Sequence, residues 1–405
     1  MILRPQLLYA CALIMNSATG VLVVALPLLA IRYGASPLEL GLLGSLGAMA
    51  YTFACPLAGW HSERIERDAA LVPAEAKRRS VMLSCSLLMV VDSYIFLVGG
   101  LRDVFILGVS GSLCAAFFWP PLQAWLADIG GRARLSERLG MFNLSWSAGI
   151  MLGPMIGGVL YSIDYRYPWC YAVVANALML TALLLTRGGR SRDDHAAVGA
   201  ADETPHLEDP GVFLPLALWA NFICWFALSN VQSLYPKLAV ANGFSPCLIG
   251  YLLFLVGVTQ SVFFIVLRSS PRWHYRFGPL TIVHGAAAIG MLIVFRSTSV
   301  MFLSLAFPLL GVALGLSYYS SIYYSLCGHE RTGQRTGIHE FMVGSGFFLG
   351  PAAGGICAQY AGMRSPFLLC ALLLAATAIG EAAGWLRASR RVSAARVEKP
   401  CSHSR

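Results

Sequence analysis

The stretch RLGMFNLSWSAGIMLGPMIGG, residues 138–158, returns in altered form as RTGIHEFMVGSGFFLGPAAGG at residues 335–355. Each matched position lies 197 residues after its counterpart, as Arg335 follows Arg138. This offset is about half of the 405-residue chain. Because self-similarity at a fixed offset indicates an internal repeat, we infer that the chain consists of two homologous halves.

Both stretches carry small residues at a helical spacing. Glycines that lie four positions apart share one face of an α-helix, so each stretch predicts a smooth stripe that lets another helix approach closely. We expect the stripes to pack against helices of the other half. The predicted packing residues are Gly149, Gly153, Pro154 and Gly157 in the first stretch and Gly346, Gly350, Pro351 and Gly354 in the second.

The composition indicates a membrane protein. Hydrophobic residues make up 57% of the chain and charged residues only 12%, which is more apolar surface than a soluble core can hide. A membrane-spanning helix needs about 20 apolar residues, and twelve segments meet this requirement. They are residues 7–31, 38–60, 80–100, 104–128, 139–163, 168–186, 213–236, 246–267, 277–295, 299–326, 336–360 and 366–386.

The predicted fold class is an all-α membrane protein with twelve transmembrane helices in two parallel six-helix repeats. The halves are an N-terminal bundle, 1–186, and a C-terminal bundle, 213–386. Between them, 187–212 is polar and without apolar periodicity, which favours a flexible cytoplasmic linker. Residues 387–405 are predicted to form a cytoplasmic tail.

The basic residues indicate how the chain crosses the membrane. Most Lys and Arg residues fall at the termini or in the loops on the same side, and cytoplasmic loops are enriched in these residues. Both termini are therefore expected in the cytoplasm, as in a multi-pass protein of a bacterial inner membrane. The net charge of +9 is explained by this topology and needs no nucleic acid partner. The basic residues of the other side are Arg32, Arg102, Arg166, Lys237, Arg296 and Arg364.

Two parallel repeats of six helices joined by a cytoplasmic linker resemble the major facilitator superfamily of secondary transporters. Gly59, Glu63 and Arg64 after the second span, with Arg78 and Arg79 before the third, are similar to a degenerate form of its cytoplasmic signature G-x-x-x-D-R-x-G-R-R. Here Glu replaces Asp, the second Gly is missing and an insertion separates the basic pair. The resemblance implies a gating role for Glu63 and Arg64.

The repeated stretch is itself similar to a family signature. Residues 149–158 match the pattern G-x-x-x-G-P-x-x-G-G, which resembles the signature of proton-coupled antiporters within the superfamily. Residues 346–355 match it equally well. The resemblance implies export, whereas a role in helix packing alone remains open.

The resemblance also implies a central cavity lined by spans 1, 2, 4, 5, 7, 8, 10 and 11. Polar and aromatic side chains on these spans suit an amphipathic ligand, although uncharged polar side chains also join membrane helices to one another. The candidate substrate-binding residues are Asn16, Trp119, Gln123, Asn143, Trp146, Asn221, Trp225, Gln260, Tyr319 and Tyr323.

Titratable residues inside the spans are candidates for proton coupling, because a carboxyl group in a low-dielectric environment takes up a proton more readily than in water. Glu340 comes first, since it lies on a cavity span beside His339, and its counterpart in the first half is Asn143. Alternatively, Glu340 belongs to an inner gate and pairs with a basic residue after the second span. Asp92 lies on a span expected to be peripheral, where a structural hydrogen bond is the safer interpretation.

Two further titratable residues lie inside spans. They are His284, for which we expect a structural hydrogen bond, and Glu381. No Lys or Arg lies in the middle of a predicted span, and a buried anion would need such a cation. Neutral, zwitterionic or cationic substrates are therefore favoured.

No enzymatic pattern is present. The sequence His339-Glu340-x-x-Val343 lacks the second His of a metalloprotease, and no phosphate-binding loop is found. We therefore expect no enzyme activity, no cofactor and no bound metal.

The hypothesis is a monomeric secondary transporter in the lipid bilayer that exports a lipophilic or amphipathic neutral or cationic small molecule in exchange for protons. One alternative is proton-coupled uptake of a neutral nutrient such as a sugar or a peptide-like solute. A second alternative is a membrane receptor that does not transport.

Overall fold

The computed structural model describes residues 5–68, 73–128, 135–186, 211–326 and 332–397. Within these ranges the chain is all-α, and twelve segments are long and apolar enough to cross a membrane. One of these segments, Leu101–Leu126, consists of two helices, so the helices below number thirteen. The predicted fold class is confirmed. The predicted linker and the end of the tail lie outside the described residues.

The helices are α1 (Pro5–Arg32), α2 (Pro37–Asp68), α3 (Pro73–Ser93), α4 (Leu101–Ala115), α5 (Trp119–Asp128), α6 (Leu135–Ile163), α7 (Tyr167–Leu185), α8 (Phe213–Ala241), α9 (Pro246–Ser269), α10 (Phe277–Arg296), α11 (Val300–Leu326), α12 (Thr332–Ala361) and α13 (Ser365–Val397). We call the end of the bundle where α1 begins the terminal face, and the end where α1 meets α2 the opposite face. The most buried spans are α1 and α8, which places them at the centre.

The helix boundaries differ from the prediction at several spans, and α3 lies earlier than the predicted 80–100. The fourth span, predicted as one helix over 104–128, is interrupted at 116–118 and continues as α5. Pro120 and Pro121 explain the interruption, because proline lacks the backbone N–H of a helix interior and is tolerated in a first turn. α2 continues to Asp68, so Gly59, Glu63 and Arg64 lie on its last turns rather than in a loop, and α13 continues to Val397.

α2 and α9 begin in the same way, at equivalent places in the two halves. Ser36 precedes Pro37, and Ser245 precedes Pro246. The hydroxyl of Ser36 accepts a hydrogen bond from the N–H of Glu39 (3.2 Å), while the N–H of Ser36 donates to the Glu39 carboxylate (2.7 Å). This reciprocal pair is a capping box. Ser245 similarly caps α9 through Leu248 N (3.3 Å).

The glycines of the first stripe lie against α1 of the same half, so the prediction that they pack against the other half was wrong. The predicted prolines do approach the other half, Pro154 at Gly250 and Pro351 at Gly44. A methyl group added at Gly149 would lie 2.5 Å from the carbonyl oxygen of Leu13. One added at Gly153 would lie 2.5 Å from the Cα of Gly20. Gly157 is equally close to α1. The stripe therefore joins α6 to α1 backbone against backbone.

The second stripe behaves in the same way. Gly346 and Gly350 lie against α8, where added methyl groups would stand 2.9 Å from the carbonyl oxygen of Phe222 and 2.6 Å from that of Phe226. Gly354 meets the same helix at Asn230. Spacing alone identified the smooth face but not the helix that covers it, and in both halves the partner is the first helix of the same bundle.

The halves meet along two helix pairs, α6 with α9 and α2 with α12, and a glycine one residue beyond each stripe takes part in each contact. A methyl group at Gly158 of α6 would lie 3.0 Å from the Cα of Gly250 on α9, and one at Gly355 of α12 would lie 2.9 Å from the Cα of Gly41 on α2. Gly158 and Gly355 point about 100° away from the stripes, since successive residues turn by that angle on a helix. Both contacts are at the opposite face, and we call them the glycine junctions.

We predict that Gly153→Ala destabilises the protein by about 1–3 kcal/mol, because the added methyl group overpacks the α1–α6 contact. Gly140→Ala is the matched control on the same helix, where an added methyl group meets nothing within 4 Å. Thermal unfolding of both purified variants measures the difference. Equal unfolding temperatures would contradict the packing role of the stripe.

Candidate transport site

An aromatic cluster occupies the meeting point of α8, α11 and α12. The ring of Trp225 lies 5.0 Å from that of Phe347 and 6.1 Å from that of Tyr318. Its indole N–H donates to Oδ1 of Asn221 (3.0 Å). The structure thus brings together two predicted residues, Trp225 and Asn221, and adds two aromatic residues that were not predicted. We call these four residues the aromatic cluster.

Two predicted amide side chains carry buried donors without a partner. In the part of the chain that the structure describes, neither Nδ2 of Asn221 nor Nε2 of Gln260 has a hydrogen-bond partner. Both residues are buried. Buried polar atoms are nearly always satisfied in folded proteins, so a bound solute or water that came within hydrogen-bond distance would satisfy these donors.

The predicted residues of the first half divide into two kinds. Asn16 donates from Nδ2 to the carbonyl oxygen of Trp146 (2.7 Å), which reinforces the α1–α6 contact. Trp119 is buried and packs edge to face against Phe142, with ring centroids 6.4 Å apart. These three predicted residues therefore have contacts within their own half. Gln123 and Asn143, by contrast, are exposed.

Glu340 lies between the halves. Its side chain is 71% exposed, and its carboxylate interacts electrostatically with Tyr51 and Cys55 on α2 and with Tyr318 on α11. A carboxylate exposed to hydrocarbon would be costly, so we infer that an aqueous opening reaches Glu340. Because the glycine junctions close the opposite face, this opening is at the terminal face.

His339 supports Glu340 from inside the second half. It is fully buried, and its Nδ1 lies 2.8 Å from the hydroxyl of Ser321. Its ring contacts that of Tyr318 at 4.9 Å, and its Nε2 is 4.0 Å from Oε1 of Glu340. The imidazole is held by α11 with its second nitrogen toward the carboxylate, so a proton on this nitrogen and the charge on Glu340 influence each other.

The other residues predicted to act in coupling or gating lie away from Glu340 and His339. Asp92 is buried on α3, and its Oδ2 has no hydrogen-bond partner among the described residues. Glu63 and Arg64 are exposed near the end of α2, where the guanidinium of Arg64 lies 5.2 Å from the ring centroid of Trp60. Their position at the terminal face is compatible with the gate predicted for them.

Tyr319 and Tyr323 also lie apart from the aromatic cluster. They share one face of α11, as predicted, and that face lines a pocket near the end of α9. Tyr318, the preceding residue, contacts Trp225 instead. The run of aromatic and hydroxyl residues indicated a functional helix, but the sequence held no signal for which tyrosine faces which side.

A buried pair in the second half was missed at the level of sequence. Nδ1 of His284 on α10 lies 3.0 Å from Oε2 of Glu381 on α13, and its Nε2 lies 2.7 Å from the hydroxyl of Ser317 on α11. Both titratable groups are almost completely buried. With one shared proton the pair is neutral, whether it is an ion pair or a carboxylic acid with a neutral imidazole. It therefore links three helices without leaving a net charge in the bilayer.

Twelve membrane-spanning segments in two homologous halves, packed against each other along α6–α9 and α2–α12, are typical of a membrane transporter. Residues 8–329 match the family model described as Major Facilitator Superfamily, and the chain belongs to this family. Its members are transporters and not enzymes.

Similar proteins include members from archaea and bacteria. An uncharacterized MFS-type transporter of Methanocaldococcus jannaschii is 24% identical over 275 residues, which cover 64% of this chain and 68% of that protein. Multidrug resistance protein 1 of Bacillus subtilis is 24% identical over 288 residues, which cover 69% of this chain and 73% of that protein.

A solved structure of a bacterial homologue of the human lysosomal transporter Spinster, inward-facing and unoccupied, matches with a TM-score of 0.70 at 16% identity. The match covers 93% of this chain and 95% of that chain. At this identity the likeness shows the shared fold.

We predict that Glu381→Leu destabilises the protein by about 3–5 kcal/mol, because removing one partner leaves the buried His284 without its counter-group. The double variant His284→Leu with Glu381→Leu should be more stable than Glu381→Leu alone. Chemical unfolding in detergent measures both, with the exposed Glu63→Leu as a control that changes little. A double variant that is no more stable than Glu381→Leu alone would contradict the pairing.

Proposed function

We propose that this transporter exports a lipophilic or amphipathic neutral or cationic molecule in exchange for protons. The observation that carries the proposal is the position of Glu340, whose carboxylate is exposed between the halves beside Tyr51 and Tyr318. A carboxylate next to aromatic rings attracts a proton and also a cation with an apolar body. Proton and substrate then compete for one group, which is the simplest route to exchange.

The aromatic cluster supports an amphipathic substrate. Its rings offer a broad apolar surface, and the free amide donors of Asn221 and Gln260 offer hydrogen bonds. The name of Multidrug resistance protein 1 of Bacillus subtilis is consistent with export. The proposed function therefore rests on the side chains of the second half and on the name of a relative that is 24% identical.

Transport in this proposal proceeds by alternating access. The halves part at the terminal face, and the cycle requires the glycine junctions at the opposite face to separate. Gly158 and Gly250, like Gly355 and Gly41, meet through backbone atoms without interlocking side chains. Such contacts part without the rotamer changes that interdigitated side chains need. We place the terminal face in the cytoplasm, because most Lys and Arg residues are on that side.

Uptake of a neutral nutrient is the second candidate. The unpartnered donors of Asn221 and Gln260 favour it, since a hydroxyl-rich solute accepts hydrogen bonds. The direction of transport distinguishes export from uptake. Energised cells that produce the protein should accumulate less of a fluorescent lipophilic cation than cells without it. Greater accumulation of a labelled sugar or dipeptide, with no change for the cation, would instead establish uptake. A receptor would change neither.

We predict that Glu340→Gln abolishes the response of flux to a pH gradient, because the amide is nearly isosteric but takes up no proton. Flux down the substrate's own gradient should persist. Proteoliposomes with an imposed pH gradient provide the measurement, and Glu66→Gln, on α2 near the terminal face, is the control that keeps the response. If the Glu340 variant still responds while it transports, the carboxylate belongs to a gate and not to the coupling step.

A further inference from the structure

A pocket at the terminal face lies outside the aromatic cluster. It has a volume of about 200 Å³ and is formed by the end of α9, the α9–α10 loop and α11. Arg268 and Ser269 line it from α9, His274 from the loop, and Tyr319 and Tyr323 from α11. Charged, hydroxyl and aromatic groups therefore surround one small volume.

The walls of this pocket are held in place by the loop. The indole N–H of Trp273 donates to the carbonyl oxygen of Leu267 (3.2 Å), which satisfies an acceptor at the end of α9. The N–H of Tyr275 donates to the hydroxyl of the buried Tyr324 (2.8 Å). Tyr275 has φ of 51°, a left-handed conformation that a non-glycine residue adopts only when its surroundings hold it there. The loop is thus anchored to α11.

Within the part of the chain that the structure describes, no carboxylate neutralises the positive charge at this pocket. Arg268, Arg272 and Arg276 are all exposed, and none forms an ion pair within the described ranges. The acidic residues described in the second half are Glu340, which lies between the halves, and Glu381, which is paired with His284.

His274 adds a neutral hydrogen-bonding group. Its ring stacks on that of Tyr323, with centroids 4.3 Å apart and planes 20° from parallel. Partial burial lowers the pKa of His274 below its usual range, so the ring is uncharged at pH 7. It contributes a donor rather than a charge, and the positive charge comes from the arginines.

The depth of the pocket matches the lipid headgroups. On α9, Val262, Ile265 and Val266 are at least half exposed, at 52%, 58% and 50%, as expected of a helix face toward hydrocarbon. The apolar span ends at Ser269, the next residue of this face. The pocket therefore opens where acyl chains give way to phosphate groups.

We propose that this pocket binds the phosphate group of an anionic phospholipid from the leaflet at the terminal face. The guanidinium of Arg268 pairs with the phosphate oxygens, and the hydroxyl of Tyr319 and the imidazole of His274 donate hydrogen bonds to them. The acyl chains lie along the exposed apolar face of α9. Arg272 and Arg276 raise the local concentration of anionic lipid without lining the pocket.

The test measures lipid retention by the full chain in nanodiscs of phosphatidylcholine that contain one-fifth phosphatidylglycerol. Native mass spectrometry after release should show phosphatidylglycerol retained in preference to phosphatidylcholine. Arg268→Gln should weaken this retention about fivefold, the effect of one interfacial arginine, and Arg268→Lys should restore most of it. The matched control is Arg296→Gln, which removes the same charge from the exposed end of α10 at the opposite face.

Two outcomes would overturn the proposal. Equal phosphatidylglycerol retention by the Arg268 and Arg296 variants would show that the lipid responds only to overall charge. Binding of inorganic phosphate in pure phosphatidylcholine discs, lost in Arg268→Gln and without preferential lipid retention, would assign the pocket to a soluble phosphate. Tryptophan fluorescence of each variant confirms that Trp273 and the loop remain folded. Because retention is measured without transport, its failure leaves the proposed function untouched.

Discussion

The close approach of helix backbones at glycine is the constraint on which this structure depends. Inside a bilayer, apolar side chains gain little by leaving lipid, so helices associate mainly through tight van der Waals packing. The stripes on α6 and α12 give α1 and α8 such contacts and hold the two helices of each pair together. The glycine junctions, one helical step away, bring the two halves together at one end. Close glycine contacts therefore occur both within each half and between the two halves.

The chemistry of the two halves is unequal although their packing is nearly symmetric. Glu340 corresponds to Asn143 in the repeat, so at this position a carboxylate in the second half stands where the first half has a neutral amide. The other acid described in the second half, Glu381, is buried and paired with His284. In the proposed exchange, this carboxylate between the halves, that of Glu340, is a simple basis for competition between a proton and a cation. The first half supplies exposed polar side chains, Gln123 and Asn143.

Sequence predicted what depends on composition and local period, namely the twelve spans, the repeat and the family. It did not predict which surface covers a stripe, because helical spacing places Gly153 on a face but leaves its neighbour, Gly20, unspecified. The pairing of His284 with Glu381 was missed for a related reason: the residues are 97 positions apart on different helices. The interruption before Pro120 did have a local signal, which the hydropathy of the surrounding segment obscured. In the run around Tyr319, neighbouring tyrosines face different sites, and composition does not separate them.

The central claim is that the halves meet at the glycine junctions and open at the terminal face, and that the junctions part during transport. Pulsed electron paramagnetic resonance between spin labels tests it directly. One pair of labels replaces Gly59 and Gly337, where added side chains meet open space near the terminal face, and a second pair replaces Leu38 and Tyr360 at the opposite face. During turnover the first distance should shorten in the molecules in which the second lengthens. A distance at the opposite face that stays constant while substrate is transported would contradict the account.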